Sequence, residues 1–410
     1  MTGDTRTPFA ENLARFRKGR NLSQEQLAEA AGVGIDTVAR IEQGIRSTCR
    51  PKTLRSLATA LGVTVDALLG AVPQRRHSRD VDVAPLRKAI TADARIPGLE
   101  DFAESRELLP LEELTTSAHS AWRAYVDGRH NELLHALPAV LTDARRVVRD
   151  THDEQRAGAH RVLSTAYRLG AGIAGRLGLD DLAYTAATRA LDAATESDAP
   201  EVEAAISLRY LAWTLIRQGR ADEAERVATE AAAVIEPRML DRDPVRAGVF
   251  GNLLFNAATA ALSSGSADRA EDLLAAAHAA AIRSRGDTAT EAAIFGPRVA
   301  ALQRVDLAVR SGDPERALQL GGTVPDVEGG DVPAFWEAGH RLYLAAAAAE
   351  LRRDRAALAW LAEAKDLASD WVRYQPLGKA TMKRIVDRAT RRRGPEFAEL
   401  AAHYDVIAQV

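Results

Sequence analysis

Apolar residues along this chain recur at helical spacing almost throughout. Leu13 and Phe16, Leu27 and Ala31, and Val38 and Ile41 lie three or four positions apart, so each pair shares one helix face. In SQEQLAEAAGVGIDTVARIEQG (residues 23–44), Ser23 is placed to cap a helix Gln24–Ala31, with Gln26 as its capping-box partner. Gly32 ends that helix, because a residue without Cβ enters the left-handed conformation at least cost. A second helix, Ile35–Gln43, is ended by Gly44, and Ala28 is small enough for the two to approach. Further helices are predicted over Phe9–Gly19, Pro51–Leu61 and Thr64–Leu69. Residues 1–70 thus read as a five-helix bundle, and residues 71–85, AVPQRRHSRDVDVAP, as a linker.

Beyond the linker, residues 86–410 carry a recurring signature between alanine-rich helical stretches: LGLDDLA (177–183), QGRADEAE (218–225), SGSADRAE (264–271), SGDPERAL (311–318) and a blurred RRDRAAL (352–358). The closing alanines Ala183, Ala224, Ala270, Ala317 and Ala357 are 41, 46, 47 and 40 residues apart. Small residues seven positions on, Ala190, Ala231, Ala277 and Ala364, keep the paired helices close. AWRAYVDGRHNELLHALPAVL (121–141) follows the same helix–turn–helix logic without the alanine signature, and residues 382–408 read as a closing pair. The predicted fold is all-α, with no convincing strand.

Composition narrows the function. The single cysteine, Cys49, excludes an intrachain disulfide framework and fits a reducing cytoplasm. No apolar run approaches the roughly 18 residues of a membrane span, so no membrane partner is expected. Residues 1–79 carry a net charge of +6 and the remainder −9. A basic front on an acidic body implies an anionic partner for the front alone. Arg75, Arg76 and Arg79 are read equally as phosphate contacts or as a solvated linker face. HNELLH (130–135) places its histidines five apart, one too many for a zinc pair on a helix face, and LGKAT (377–381) lacks the glycine that opens a phosphate loop. No catalytic residue, metal or cofactor is expected.

The front unit, over residues 8–70, resembles the helix-turn-helix of the phage-repressor (XRE) family, with Ala28, Gly32, Val38 and Ile41 at the family's small, glycine and apolar positions. That resemblance implies binding to double-stranded DNA, with the second motif helix in the major groove. Its outward residues are Gly34, Ile35, Asp36, Thr37 and Arg40; Arg40 is the leading base reader, because its planar fork donates twice to guanine. Gln24 matches a position that contacts phosphate and positions bases. Gly34 stands where serine is common, and Asp36 where an uncharged polar residue is usual. The loop after the motif supplies Arg46, Ser47, Thr48, Arg50 and Lys52 as phosphate contacts. Arg17 and Glu42 match a structural ion pair of the family.

The repeats resemble tetratricopeptide repeats, whose usual period is about 34, as an α-solenoid with a sensing and dimerising role. In that register Arg168, Arg209, Trp213, Asn252 and Phe255 lie near the concave side, as do Asn256, Gln303, Trp336, His340 and Tyr343. Arg209, Trp213 and Arg217 form a stripe, and the amides of Asn252 and Asn256 suit a peptide backbone. The layout is similar to peptide-responsive quorum-sensing regulators, and in composition to actinobacterial regulators. It implies a cytoplasmic homodimer on a near-palindromic operator, responsive to a small molecule or peptide. A DNA-tethered scaffold that binds a protein partner is the alternative; it calls for an exposed apolar patch rather than a deep pocket.

Overall fold

The computed structural model of the protein describes residues 8–18, 20, 22–44, 49, 51–61, 82–93, 96, 108–237, 243–283, 286–325, 332–389 and 394–407. The chain divides into two units, Met1–Asp82 and Val83–Val410. In the first, the described helices are α1 (Pro8–Lys18), α2 (Gln24–Ala31), α3 (Ile35–Glu42) and α4 (Pro51–Ala60). Phe9, Leu13, Leu27, Val38, Ile41, Leu57 and Leu61 form their shared core, with Cys49 packed at its edge. Ser23 caps α2 as expected: Gln26 N donates to Ser23 Oγ at 3.1 Å and Ser23 N to Gln26 Oε1 at 2.8 Å. Gly32 closes the helix at φ 63°. The helix expected over 64–69 lies outside the described residues.

The second unit opens with α5 (Ala84–Thr91). Six helix pairs follow: α6 (Leu111–Val126) with α7 (His130–Asp150), α8 (Asp153–Arg176) with α9 (Asp180–Thr195), α10 (Pro200–Arg217) with α11 (Ala221–Ile235), α12 (Pro244–Ser263) with α13 (Ala267–Arg283), α14 (Pro297–Arg310) with α15 (Pro314–Gly321), and α16 (Ala334–Glu350) with α17 (Asp354–Val372). A closing pair, α18 (Pro376–Arg388) and α19 (Pro395–His403), ends the unit. No helix among the described residues is long and apolar enough to cross a membrane.

One turn joins every pair. Its central residue is left-handed: Gly128, Gly178, Gly219, Gly265, Gly312 and, in the blurred signature, Arg352 at φ 58°. The amide that follows donates back five residues, as in Leu179 N to Ala174 O, Arg220 N to Leu215 O and Arg353 N to Ala348 O, at 2.8–2.9 Å. This is a Schellman closure, which satisfies carbonyls the helix end leaves orphaned. The signature alanines Ala183, Ala224, Ala270, Ala317 and Ala357 have no exposure at all. A methyl there is all the space between paired helices accepts. First helices of 14 to 24 residues account for spacings longer than the usual repeat.

One feature departs from the sequence reading, which predicted no strand. Thr288–Ala289 (β1) pairs antiparallel with Ile294–Phe295 (β2) between α13 and α14. Two-residue strands are too short to carry an alternating pattern; tertiary contacts hold them instead. Phe295 is buried over Gly251, where a Cβ would come within 2.0 Å of its ring.

Because Arg352 alone among these turn residues carries a Cβ in the left-handed region, Arg352→Gly should raise stability by about 0.5–1 kcal/mol. Gly265→Ala, with open space around the new methyl, should lower it by about 1 kcal/mol. Urea unfolding midpoints followed by circular dichroism check both signs.

Candidate functional site

Two sites arise, one in each unit. In the first, Glu42 sits in the last turn of α3, 7 % exposed, and is held from two directions. Arg17 of α1 grips it through both carboxylate oxygens, at 2.7 and 2.8 Å, while its Nη1 donates to Leu22 O at 2.8 Å. Gln24 at the start of α2 donates Nε2 to Glu42 Oε2 at 2.7 Å. Burial alone would raise the Glu42 carboxyl, but the hydrogen bonds from Arg17 and Gln24 and the Arg17 charge outweigh it, and its pKa lies below the ordinary value. The arrangement fixes α3 against α1 and α2. Its inner residues Val38 and Ile41 are fully buried, whereas Gly34, Ile35, Asp36 and Arg40 are exposed and Thr37 half-buried.

This places the sequence-derived residues as follows. Arg17 and Glu42 are paired. The amide nitrogen of Gln24, expected to contact DNA, is committed to Glu42. Gly34 caps α3, Ile35, Asp36 and Thr37 lie in its first turn, and Arg40 lies in its last. Arg46, Ser47, Thr48, Arg50 and the side chain of Lys52 lie outside the described residues.

In the second unit, the first helix of each pair faces a cavity of about 590 Å³. Its walls hold ten of the chain's twenty aromatic residues, including four of the five tryptophans: Trp122, Trp213, Trp336 and Trp371. The cavity is closed by contacts between pairs far apart in sequence, not by neighbours alone. Tyr125 of the first pair meets Phe335 of the sixth with ring centroids 6.3 Å apart, and Phe335 meets Trp371 at 5.9 Å. Arg176, from the end of α8, lies over the rings of Tyr125 at 4.1 Å and Phe335 at 4.8 Å.

Of the ten concave residues expected from sequence, eight line this cavity: Arg209, Trp213, Asn252, Phe255, Asn256, Trp336, His340 and Tyr343. Two do not. Arg168 is turned into the packing between α8 and α10, where it pairs with Glu203 at 2.8 Å. Gln303 is fully buried and donates to Asn252 Oδ1 at 3.3 Å. The expected role of the asparagines also changes. Asn252 Nδ2 donates to Ile294 O, holding the hairpin that forms part of the cavity wall, and Asn256 Nδ2 donates to Arg209 O at 2.8 Å. Both read backbone, but it is the chain's own. His340 is held neutral by burial, its pKa pushed down to about 4.

Sequence reasoning missed Trp122, Tyr125, Arg176, Phe335 and Trp371. A signal was available in LGAGIAG (169–175), three glycines within a helix, where each costs about 1 kcal/mol relative to alanine. Gly172 and Gly175 make room for rings: a Cβ would come within 2.6 Å of the Tyr125 hydroxyl and 2.5 Å of the Trp213 ring. Of the histidines in HNELLH, His130 is buried and accepts from Arg176 Nη1 at 3.1 Å, its pKa pushed down to about 3 by burial, while His135 is exposed and bonds its own helix.

Residues 8–69 match the family described as "Helix-turn-helix domain". Over 65 residues the chain is 37% identical to an uncharacterized HTH-type transcriptional regulator, RghRB, of Bacillus subtilis, and over 61 residues 38% identical to the HTH-type transcriptional repressor RghR of the same organism. These matches cover 16% and 15% of this chain and 47% and 45% of the relatives, so the chain spans about half their length. Among solved structures, PlcR of Bacillus thuringiensis, in complex with the peptide PapR7 and DNA, matches with a TM-score of 0.35 at 12% identity, covering 77% of this chain and 94% of that one. The apo competence regulator ComR of Streptococcus vestibularis matches with a TM-score of 0.32 at 13% identity, covering 83% and 98%.

The lowered Glu42 pKa sets a pH dependence. The carboxylate's contribution to stability is complete above its ordinary value of 4.5 and is lost as pH falls through the lower folded value. Thermal unfolding of the first unit should therefore move to lower temperature as pH drops from about 6 to about 3, and Glu42→Gln should flatten that dependence. A Glu42→Gln profile as steep as the parent's would exclude this carboxylate as the cause.

Proposed function

We propose that the helix-turn-helix domain of residues 8–69 reads operator DNA through α3, and that the repeat unit binds a small molecule or peptide that modulates this binding. The chain is then a ligand-responsive transcriptional regulator, without enzymatic activity, acting in the cytoplasm as a homodimer. The reading is carried by the exposed α3 face: Ile35, Asp36 and Arg40 are exposed while Glu42, at the end of the same helix, is clamped by Arg17 and Gln24. An anchored helix with a free N-terminal face suits the major groove. Arg40 donates to a guanine edge, Ile35 packs on a thymine methyl, and Asp36 accepts from cytosine or keeps phosphate away. Gln24 acts by positioning α3. Arg46, Ser47, Thr48, Arg50 and Lys52 supply phosphate contacts.

The cavity supports a small effector over a protein partner. Among the described residues of the second unit the exposed large apolar side chains are Ile96, Leu108, Val234, Ile282, Leu367 and Ile407, spread along the chain, whereas ten aromatics converge on one volume. Small-ligand sites have this concave, aromatic character. The effector's signal travels through the linker at 71–85.

Arg40→Ala should weaken binding to a mapped operator by about 1–3 kcal/mol and relax preference at one base pair. Arg50→Ala should weaken all sequences alike and flatten the salt dependence. Binding titrations across operator variants and salt concentrations separate the two; identical behaviour would overturn the assigned roles. A lone domain reads a short half-site, so the operator should be a near-palindrome with half-sites one helical turn or a multiple apart. Sedimentation of the full chain, free and on DNA, checks this, and a monomer in both states would reject it.

A further inference from the structure

The cavity's charges are not balanced. Four arginines line it: Arg176, Arg209, Arg217 and Arg310. Arg217 is paired with Asp180 at 2.8 Å and Arg310 with Asp306 at 2.5 Å. The other cavity carboxylate, Glu291, faces His119 at 2.7 Å. Arg176 and Arg209 have no carboxylate partner among the described residues. Arg176 is stacked on Tyr125 and Phe335, and Arg209 lies 4.4 Å from the Tyr210 ring, with its Nε buried and unbonded. Stacking occupies the faces of a guanidinium and leaves its in-plane N–H groups to donate; on Arg176, Nη1 already donates to His130 Nε2 at 3.1 Å. Trp371 Nε1, a donor only, is likewise buried without an acceptor. The surplus is of donors and of positive charge, in a site walled by rings.

We infer that the cavity binds a small planar organic acid, its anionic head on the edges of Arg176 and Arg209 and its flat body among Trp213, Phe335 and Trp371. Arg176 and Arg209 are half-buried; a cation partly withdrawn from water without a counter-charge is costly, and a bound anion removes that cost. A small acid fits better than an extended peptide, because Asn252 and Asn256, the amides suited to a peptide backbone, each already spend an N–H on the chain's own backbone, at Ile294 O and Arg209 O. The inference rests on the effector-binding reading above and names the effector's class.

The test uses the full chain and two matched probe pairs in calorimetric titration: 2-naphthoate against 2-naphthamide, and N-acetyl-Leu-Leu-Phe with a free or an amidated carboxyl end. Naphthoate should bind about tenfold or more tightly than the amide, the usual worth of a charged hydrogen bond. Arg176→Met and Arg209→Gln should each erase that preference. Ligand-free Arg176→Met should unfold no more than about 2 °C below the parent, since it removes a half-buried charge that has no carboxylate partner among the described residues. Equal affinity for naphthoate and amide, absence of binding by both, or a preference confined to the peptide pair would overturn the proposal, as would a preference that survives in both variants. A parallel measurement separates this from the regulator reading. If cell extract shifts DNA affinity but the active fraction passes an anion exchanger unretained, the regulator stands and the acid falls. If no extract shifts DNA affinity, the regulator reading fails while the probe pairs still judge the site.

Discussion

The second unit is organised around Arg176, a cation with no carboxylate partner among the described residues. Arg176 stays charged at any pH the protein meets, yet it sits at the meeting point of side chains from the first, second and sixth helix pairs. Its partners are faces: the Tyr125 ring at 4.1 Å, Phe335 at 4.8 Å and Trp371 at 5.9 Å. Contacts of this kind are worth about 0.5–2 kcal/mol each, and none of them supplies the opposite charge that a carboxylate would. The arrangement therefore holds the array closed and leaves charge unmet. Closure and the demand for an anion have the same origin.

Closure also accounts for glycines that helix propensity disfavours. Gly172 lies under the Tyr125 hydroxyl, Gly175 under Trp213, and Gly128 against Trp371, where a Cβ would meet the Trp371 Cβ at 3.2 Å. At Gly172 and Gly175 a ring from another helix crosses close to the backbone; at the turn residue Gly128 it is the Cβ of Trp371 that approaches. Removing three methyls lets long first helices bring their aromatics inward instead of holding them apart. Gly128 serves twice, since its φ of 73° also closes the turn between α6 and α7.

What could be read from the sequence follows the range of the interaction responsible. Ser23 with Gln26, Gly32, and the glycines of the repeated turns act within six residues, and all stand in the structure where the pattern put them. The buried alanines of the signatures depend only on a helix and its immediate partner, and they too were legible. The hairpin at 288–295 was not, because it is held by Gly251 and Asn252 some forty residues earlier in the chain rather than by its own alternation. Arg168 and Gln303 were assigned to the concave face on helical register alone. Register says which way a side chain leaves its helix, but not whether Glu203 or Asn252 waits to bury it. Asn252 and Asn256 both line the cavity, as register put them, but one N–H of each is spent on the chain's own backbone.

The same distinction bears on how an effector could act. In an open array each pair touches only its neighbours, and a bound molecule changes curvature by small, additive steps. Here Tyr125 and Phe335 join the first pair to the sixth, and the rings that make the joint also form the cavity wall. A ligand seated among them cannot adjust one pair alone: it either keeps the joint and adds to it or parts the rings and opens the closure. Packed aromatic contacts of this kind have discrete arrangements rather than a continuum. The available response is consequently a two-state one, with the ligand's preference between closed and parted rings as the whole of the coupling energy. An acid that neutralises Arg176 while leaving its rings stacked would favour the closed state; one whose body displaces Phe335 would favour the other.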